Sequence, residues 1–234
     1  MKNVLLLHGY LESKEIWKDL AERLKFNVIT LDLLGHGANP RANFSTISEM
    51  AQDVVSKLRD QNIHSYSVVG HSMGGYVALE LFEKDENCEE VVLLNSNFWE
   101  DSDEKKQDRL RVIDAVNHNK QRFVKEVIPN LFANPLNYQV VIDALIKSAS
   151  QMTEEGIGNA SLAMRNREDK TFLLKSNPDK VFVIQGVDDP VMPLKTMLSK
   201  IPQKVRLEQL PGGHMSWCES QLQLVGLLND FLAV

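Results

Sequence analysis

Short apolar runs alternate with amphipathic stretches along the first hundred residues, and this alternation restricts the possible fold more than any other feature of the sequence. The stretches repeat apolar residues every three or four positions, as amphipathic helices do. Strands that are apolar throughout and separated by helices are typical of a parallel sheet covered on both faces. The strands expected from these runs cover residues 4–8, 26–32, 66–71 and 91–95, and later 181–185 and 205–210.

The middle third of the chain departs from this alternation. No stretch between residues 98 and 179 has the pattern of a strand, and the apolar spacing predicts helices near 103–117, 119–132, 136–150 and 153–166. Pro135 suits the first turn of the third of these helices. The sequence therefore predicts an α/β core formed by residues 1–97 and 180–234, with a last helix over about 216–231 and a helical insertion at 98–179.

Charge and composition exclude several classes of protein. The 234 residues carry a formal net charge of −6, which is the wrong sign for a nucleic-acid partner. The apolar runs are far shorter than the ~20 residues of a membrane-spanning helix, and the first of them is too short for a secretion signal. The two cysteines, Cys88 and Cys218, predict free thiols. We expect a cytoplasmic protein with a small-molecule substrate and no membrane or nucleic-acid partner, either a monomer or a dimer.

The motif Gly70-His71-Ser72-Met73-Gly74 fits the pattern G-x-S-x-G where the third expected strand meets the next helix. At such a junction the pattern predicts a nucleophile elbow, a sharp turn that holds the serine in a strained backbone conformation. Ser72 is accordingly the candidate nucleophile. His71 is expected to point away from Ser72 and to pack in the interior.

A serine nucleophile needs a histidine base, and that histidine needs an acid to fix its tautomer. His214 lies on a loop after the last expected strand, at the edge of the sheet where α/β proteins keep their ligands. Asp188 and Asp189 both follow the fifth expected strand, while residues 95–97, after the fourth, offer no carboxylate. The candidate catalytic residues are thus Ser72, His214 and one of the two aspartates.

A developing oxyanion also needs hydrogen-bond donors. Residues 8–10 follow the first expected strand, and Gly9 lets their backbone approach the elbow closely. The backbone N–H groups of Tyr10 and Met73 are the predicted donors. Asp32 and His36, in the loop after the second expected strand, could instead bind a metal ion. That site lacks a third ligand at useful spacing, so we expect neither a metal nor a cofactor.

Taken together, these motifs resemble the α/β-hydrolase superfamily, in its lidded, single-domain branch of esterases, lactonases and carbon–carbon bond hydrolases. The resemblance rests on residues 8–10, 32–37, 70–75, 186–193 and 213–219, and it extends over nearly the whole chain. It implies an α/β-hydrolase fold with a mostly or fully parallel sheet of about six strands, flanked by helices. Typical members begin with two additional strands, so residues 26–32 are expected at an edge.

The resemblance also assigns particular residues. Family members carry the acid three residues after the strand-end glycine, which is Gly186 here, and this selects Asp189. The family uses the aspartate at position 32 in a structural turn. The helical insertion after the fourth strand corresponds to a lid over Ser72, and lids determine substrate choice.

Several apolar side chains of the expected lid could line a substrate pocket, although packing of the lid helices explains them equally well. They are Phe98, Trp99, Phe123, Val127, Leu131, Phe132, Leu162 and Met164. Residues 98–180 contain 13 acidic and 13 basic residues, so no net charge favours a charged substrate. Single arginines could still bind a carboxylate, and the candidates are Arg109, Arg111, Arg122, Arg165 and Arg167.

The sequence therefore predicts a cofactor-free serine hydrolase that cleaves a small or medium carboxylic ester, lactone or thioester through an acyl-enzyme on Ser72. Two alternatives remain open. Related proteins use the same triad for carbon–carbon bond hydrolysis or for an elimination in the menaquinone pathway, and a lid arginine facing Ser72 would favour this use. The chain could instead be a ligand receptor on the same fold, with slow turnover.

Overall fold

The expected strands form one parallel sheet of six strands. The structure is a computed structural model that describes residues 1–233, and its strands are β1 (Asn3–Leu7), β2 (Asn27–Leu31), β3 (Tyr66–His71), β4 (Cys88–Leu94), β5 (Val181–Gly186) and β6 (Arg206–Leu210). Their order is β2-β1-β3-β4-β5-β6, with every neighbouring pair parallel. β2 lies at an edge, as predicted. The predicted fold class is confirmed.

Helices cover both faces of the sheet, which is why the central strands are apolar on both sides. Leu5 and Val68 face α2 (Ile47–Asp60) and α3 (Met73–Lys84) in one buried cluster. The alternate strand positions, such as Leu6 and Val69, belong to a second cluster on the opposite face. That second cluster includes α10 (Gln221–Phe231) and Trp17, which precedes α1 (Lys18–Ala21).

The remaining helices follow β4 and β5. Those between β4 and β5 are α4 (Asp103–Val127), α5 (Gln139–Gln151), α6 (Glu154–Arg165) and α7 (Thr171–Ser176). α4 is interrupted at Asn119, whose φ of −160° is not helical, so its two parts match the two helices expected near 103–117 and 119–132. Pro135 opens a 3-10 turn immediately before α5. The remaining helices are α8 (Leu194–Lys200), between β5 and β6, and α9 (Ser216–Glu219).

The last part of the chain differs from the prediction of one continuous helix over about 216–231. Ser220 separates α9 from α10, because its φ of −137° is extended rather than helical. Its hydroxyl donates a hydrogen bond to the carbonyl of Pro211, in the loop before α9. This contact holds α9 close to the loop that carries His214.

Two further observations concern membrane spans and cysteines. Within residues 1–233, no helix combines the length and the apolar composition needed to cross a bilayer. Cys88 is buried and Cys218 is half-buried, and both are unpaired thiols.

Candidate active site

Ser72 lies in the turn between β3 and α3, at the carboxyl edge of the sheet. Its φ of +49° lies where an L-residue is strained, which agrees with the nucleophile elbow that the motif predicts. The Ser72 N–H donates to the carbonyl of Leu94 at 3.0 Å and so ties the turn to β4. A Cβ on Gly74 would lie 2.5 Å from the carbonyl of Leu7, so only glycine lets α3 start this close to β1.

His214 and Asp189 complete a hydrogen-bonded chain with Ser72. His214 Nε2 lies 2.8 Å from Ser72 Oγ, and His214 Nδ1 lies 2.9 Å from Asp189 Oδ2. Because the carboxylate accepts, Nδ1 carries the proton and Nε2 is left to accept from the serine hydroxyl. Asp189 is 4% exposed, whereas Asp188 is exposed to solvent. Of the two aspartates, the structure brings Asp189 to His214.

The Asp189 carboxylate has a full set of hydrogen-bond donors. Besides His214, Oδ2 accepts from the side-chain amides of Asn95 and Gln185, each at 2.9 Å. Oδ1 accepts from the backbone N–H groups of Val191 and Met192 at 2.8 and 2.9 Å. Burial would raise the pKa of Asp189, but His214 and these donors together hold it below its ordinary value. The group therefore stays ionised at neutral pH.

The loop that carries His214 is held by contacts from two other segments. The His214 N–H donates to the carbonyl of Leu131 at 2.9 Å, which connects the loop to the segment after α4. The Glu219 carboxylate accepts from the N–H of Gly213 and from that of Ala133, both at 2.9 Å. Glu219 therefore orients the loop and the segment beside it. In the sequence, residues 216–219 read as a capping box, which predicts a role for Glu219 at the start of this helix but not its contact with Ala133.

The backbone N–H groups predicted as oxyanion donors belong to segments adjacent to Ser72. Met73 begins α3, where an N–H has no acceptor within the helix. Tyr10 belongs to the loop after β1, which approaches so closely that a Cβ on Gly9 would lie 3.1 Å from Ser72 Cβ. In the described part of the chain, neither N–H donates to another protein group. Both remain available to a ligand.

Ser72 and His214 open onto a cavity of about 320 Å³. Its walls include four of the eight lid candidates, Phe123, Val127, Leu131 and Met164, and also Met192. Phe98 and Trp99 line a different cavity, of about 180 Å³. Leu162 is half-buried on α6 and, among the described residues, is not one of those lining the Ser72 cavity.

Arg109 is the arginine that lines the Ser72 cavity. Its Nε donates to Asp101 Oδ2 at 3.0 Å, and Arg167 donates to Oδ1 of the same carboxylate at 2.7 Å. The Arg167 guanidinium also stacks 4.1 Å from the centre of the Tyr76 ring. Two cations thus share the Asp101 carboxylate, and of these three groups it is Arg109 that lines the Ser72 cavity, beside Lys105 and Asp108.

Asp32 has a structural place, as the resemblance implies. Its carboxylate accepts from the N–H groups of Lys14 and Ala38 at 2.8 and 3.0 Å and so closes the loop after β2. His36 is buried, and burial together with His8 lowers its pKa to about 3. Residues 1–233 contain no group of three or more His, Cys, Asp or Glu side chains placed to hold a metal ion.

Sequence reasoning missed several polar residues around the site. Asn95, at the end of β4, donates to Asp189 and also to the carbonyl of Gly213 at 3.1 Å. From the sequence, Asn95 was considered only as a position that cannot supply the catalytic carboxylate. Glu12 is buried beside His71, which is itself fully buried. Nothing in the sequence distinguishes Glu12, which is followed by the polar residues Ser13, Lys14 and Glu15.

A parallel sheet with a strained serine at a strand-to-helix turn, and a histidine and an aspartate at its carboxyl edge, defines a class of hydrolytic enzymes. The family model described as alpha/beta hydrolase fold matches residues 2–219 of this chain. The chain belongs to the α/β-hydrolase family and is a hydrolase.

Individual relatives share this architecture. The chain is 29% identical, over 90% of its length and 78% of the relative, to a putative 2-succinyl-6-hydroxy-2,4-cyclohexadiene-1-carboxylate synthase of Haemophilus influenzae. It is 30% identical to a pimeloyl-acyl-carrier-protein methyl ester esterase of Nitrosomonas europaea, over 40% of this chain and 37% of that protein. A thermophilic esterase from Thermogutta terrifontis, solved with malate bound, has a TM-score of 0.90 and 28% identity, covering 100% of this chain and 90% of that one.

Proposed function

We propose that this chain hydrolyses a small or medium carboxylic ester through an acyl-enzyme on Ser72. The observation that carries the proposal is the continuous hydrogen-bonded chain from Ser72 Oγ through His214 to Asp189, at 2.8 and 2.9 Å. Esterases among the similar proteins support the same reaction class.

The proposed acylation step follows from this arrangement. Ser72 Oγ attacks the ester carbonyl while its proton moves to His214 Nε2, and Asp189 stabilises the resulting imidazolium. The tetrahedral intermediate collapses, His214 returns the proton to the departing alkoxide, and the alcohol leaves. The acyl group is then bonded to Ser72 Oγ.

Deacylation repeats these steps with water as the nucleophile. His214 takes a proton from the water, and the hydroxide adds to the acyl carbonyl. When the second tetrahedral intermediate collapses, His214 protonates Ser72 Oγ and the carboxylic acid is released. In both intermediates the free N–H groups of Tyr10 and Met73 would donate to the oxyanion, and losing one such donor typically costs ~3–4 kcal/mol of barrier.

The substrate would enter beneath a lid formed by residues 98–179. Phe123, Val127 and Leu131 from this segment meet Ser72 across the cavity. The volume of about 320 Å³ supports a substrate of small or medium size. No cofactor is needed for this chemistry, because the chain itself supplies the nucleophile, base, acid and oxyanion donors.

A second candidate is favoured by Arg109, which faces the same cavity from α4. A guanidinium there can bind a substrate carboxylate that is remote from the reacting bond. This would suit a carboxylate-bearing ester, or the carbon–carbon bond cleavage or elimination considered for this triad. The Haemophilus influenzae relative is named for a cyclohexadiene carboxylate, and the Thermogutta terrifontis esterase was solved with malate bound.

The proposal is tested by hydrolysis of p-nitrophenyl esters from acetate to laurate, together with p-nitrophenyl hemisuccinate. The wild type should turn over repeatedly with a maximum at one chain length. Ser72→Ala should lower kcat by roughly 10⁴- to 10⁶-fold without changing the folded structure, measured by circular dichroism. If Ser72→Ala retains most of the rate, the mechanism is wrong.

The same panel separates the other candidates. A strong preference for hemisuccinate over neutral esters of similar length would favour the carboxylate-binding reaction at Arg109. One burst of p-nitrophenol without recovery would favour a receptor with slow turnover.

A further inference from the structure

A buried carboxylate lies beneath the loop that carries Gly9 and Tyr10. Glu12 is 1% exposed, and it follows Leu11, whose φ of +63° turns the chain inward. The Gly9 N–H donates to Glu12 Oε2 at 2.5 Å, and the indole N–H of Trp217 donates to Oε1 at 3.2 Å. A buried carboxylate is costly unless it is paired, so its place indicates a charged partner.

His71 is that partner. Its Nδ1 lies 2.9 Å from Glu12 Oε2, and its Nε2 lies 2.8 Å from the backbone carbonyl of His214. A carbonyl oxygen has no proton to give, so Nε2 must carry one. One proton lies between Nδ1 and Glu12 Oε2, and because both carboxylate oxygens accept from other donors, the N–H of Gly9 and the indole N–H of Trp217, we assign that proton to Nδ1. His71 is therefore an imidazolium.

The electrostatics agree with this protonation. Burial alone would lower the pKa of His71 and raise the pKa of Glu12. Their mutual attraction and hydrogen bond outweigh burial, so the pKa of His71 is raised and that of Glu12 is lowered. Both shifts favour the charged forms of the pair.

The pair connects three segments that meet at Ser72. Glu12 holds the Gly9 N–H next to the proposed oxyanion donor Tyr10, and His71 directly precedes Ser72 in the chain. His71 also holds the His214 carbonyl. The packing is tight, because a Cβ on Gly9 would lie 2.7 Å from Glu12 Oε2, 3.0 Å from His71 Nδ1 and 3.1 Å from Ser72 Cβ.

Neither Glu12 nor His71 takes part in the proton path. The hydrogen bonds of the His214 ring go to Ser72 and Asp189, while His71 contacts the backbone of His214. We propose that the Glu12–His71 ion pair is a positioning device, which fixes the Tyr10 loop and the main chain of His214 relative to Ser72 before substrate binds. This inference rests on the proposed acyl transfer at Ser72.

The kinetic test is Glu12→Gln, which removes the charge with little change of shape. An amide cannot accept from Gly9 and Trp217 while also pairing with a charged His71, so the three segments lose their common anchor. We expect kcat for the best p-nitrophenyl ester to fall about 10- to 100-fold, as misplacement of catalytic groups does, with KM unchanged.

Glu80→Gln is the matched control. Glu80 is also buried, at 7% exposure, and pairs with Lys170 and Lys84 on a different side of α3 from the Ser72 cavity. The control should lose stability but keep kcat. An equal loss of kcat in both variants, or unchanged kcat in Glu12→Gln, would overturn the inference.

A double-mutant cycle tests the coupling. His71→Gln should lower kcat to a similar extent. The double variant should have a kcat no lower than that of the poorer single variant, because each substitution alone already breaks the same ion pair. Independent, multiplicative losses would contradict a shared role.

The charge state of the His71 ring can be measured in the wild-type protein, without any substitution at Glu12. Nitrogen-15 NMR at pH 7 should show both ring nitrogens of His71 protonated, in the wild type and equally in Ser72→Ala. A neutral His71 ring would overturn the inference even if Glu12→Gln does not fold. Failure of the proposed function is distinguishable, because it would appear as retained turnover in Ser72→Ala with the His71 signal unaffected.

Discussion

Asp189 shows how one side chain is selected from two adjacent candidates. The chain turns after β5, where the Asp189 N–H donates to the Gly186 carbonyl at 3.4 Å. This turn directs Asp189 inward to five donors and leaves Asp188 in solvent. A carboxylate in that setting is pre-oriented to hold one tautomer of His214.

Asp189→Asn tests this role. The amide keeps the shape but can donate to His214 Nδ1, which places the ring proton on Nε2, where it cannot accept from Ser72. We expect kcat to fall by roughly 10⁴-fold, the loss typical of a wrong tautomer, in steady-state ester hydrolysis. Asp188→Asn, the neighbouring control, should retain full activity, and similar losses in both variants would show that the acid lies elsewhere.

Residue-level prediction from sequence is possible where the chemistry is local. The pattern around Ser72 and the loop position of His214 single out both residues as candidates without any structure. Glu12 could not be predicted as a partner of His71, because 59 positions separate them and the pairing depends on the positive φ of Leu11. Asn95 could not be predicted either, because its side-chain amide donates to Asp189 only once the fold brings the two residues together.

At the scale of elements, the glycines of two helices differ in how closely other parts of the chain pack against them. A Cβ on Gly226, on the exposed side of α10, would meet no heavy atom within 4 Å beyond its own helix. Gly74, at the start of α3, lies against the carbonyls of Leu7 and His8. The first glycine only weakens its helix, while the second allows close contact between α3 and β1.

Substituting each glycine by alanine should therefore have opposite effects. Gly226→Ala should raise the free energy of unfolding by about 0.5–1 kcal/mol, because alanine favours the helix. Gly74→Ala should lower stability, since its Cβ would meet backbone that cannot move aside. Urea denaturation followed by circular dichroism measures both, and a loss of stability in Gly226→Ala would contradict the packing described for α10.

Element prediction was accurate where apolar periodicity is strong and weaker at interruptions. The break of α4 at Asn119 was expected, because the periodicity restarts there. The break at Ser220 was not expected. It depends on a hydrogen bond from Ser220 to Pro211, and apolar spacing carries no trace of such a tertiary contact.

At the scale of the whole molecule, the cluster formed by Asp101, Arg109 and Arg167 links the start of the segment between β4 and β5 to its later part. Asp101 precedes α4, and Arg167 follows α6. Burial would raise the pKa of Asp101, but Arg167 and Arg109 lower it below its ordinary value. The unfolded chain therefore binds a proton at higher pH than the folded protein does.

This difference predicts acid sensitivity with a definite sign. The stabilisation from Asp101 is fully present above the unfolded pKa, about 3.9, and is lost as pH falls through the lower folded value. The free energy of unfolding, measured in urea between pH 7 and pH 3, should decrease on acidification. Asp101→Asn should lower stability at pH 7 and flatten that decrease, and an unchanged pH dependence would exclude the cluster as a contributor.

The sequence predicted the architecture of the sheet better than it predicted which residues line the cavity. The all-parallel sheet of six strands and the edge position of β2 were expected from the family resemblance. Only part of the expected pocket lining lies in the Ser72 cavity, because helix periodicity identifies an apolar face without indicating which neighbour it meets. Phe123 and Leu131 face the cavity, while Phe98 and Trp99 pack elsewhere.

The central claim is that Ser72 is the residue that becomes acylated, and trapping it covalently tests this most directly. A fluorophosphonate should add once per chain, and peptide mass spectrometry should locate the adduct on Ser72. Ser72→Ala should remain unlabelled, and His214→Ala should label at least about 100-fold more slowly, because general-base catalysis typically contributes 10²–10⁴-fold. Ester turnover together with an adduct on another residue, or with no adduct at all, would contradict the account.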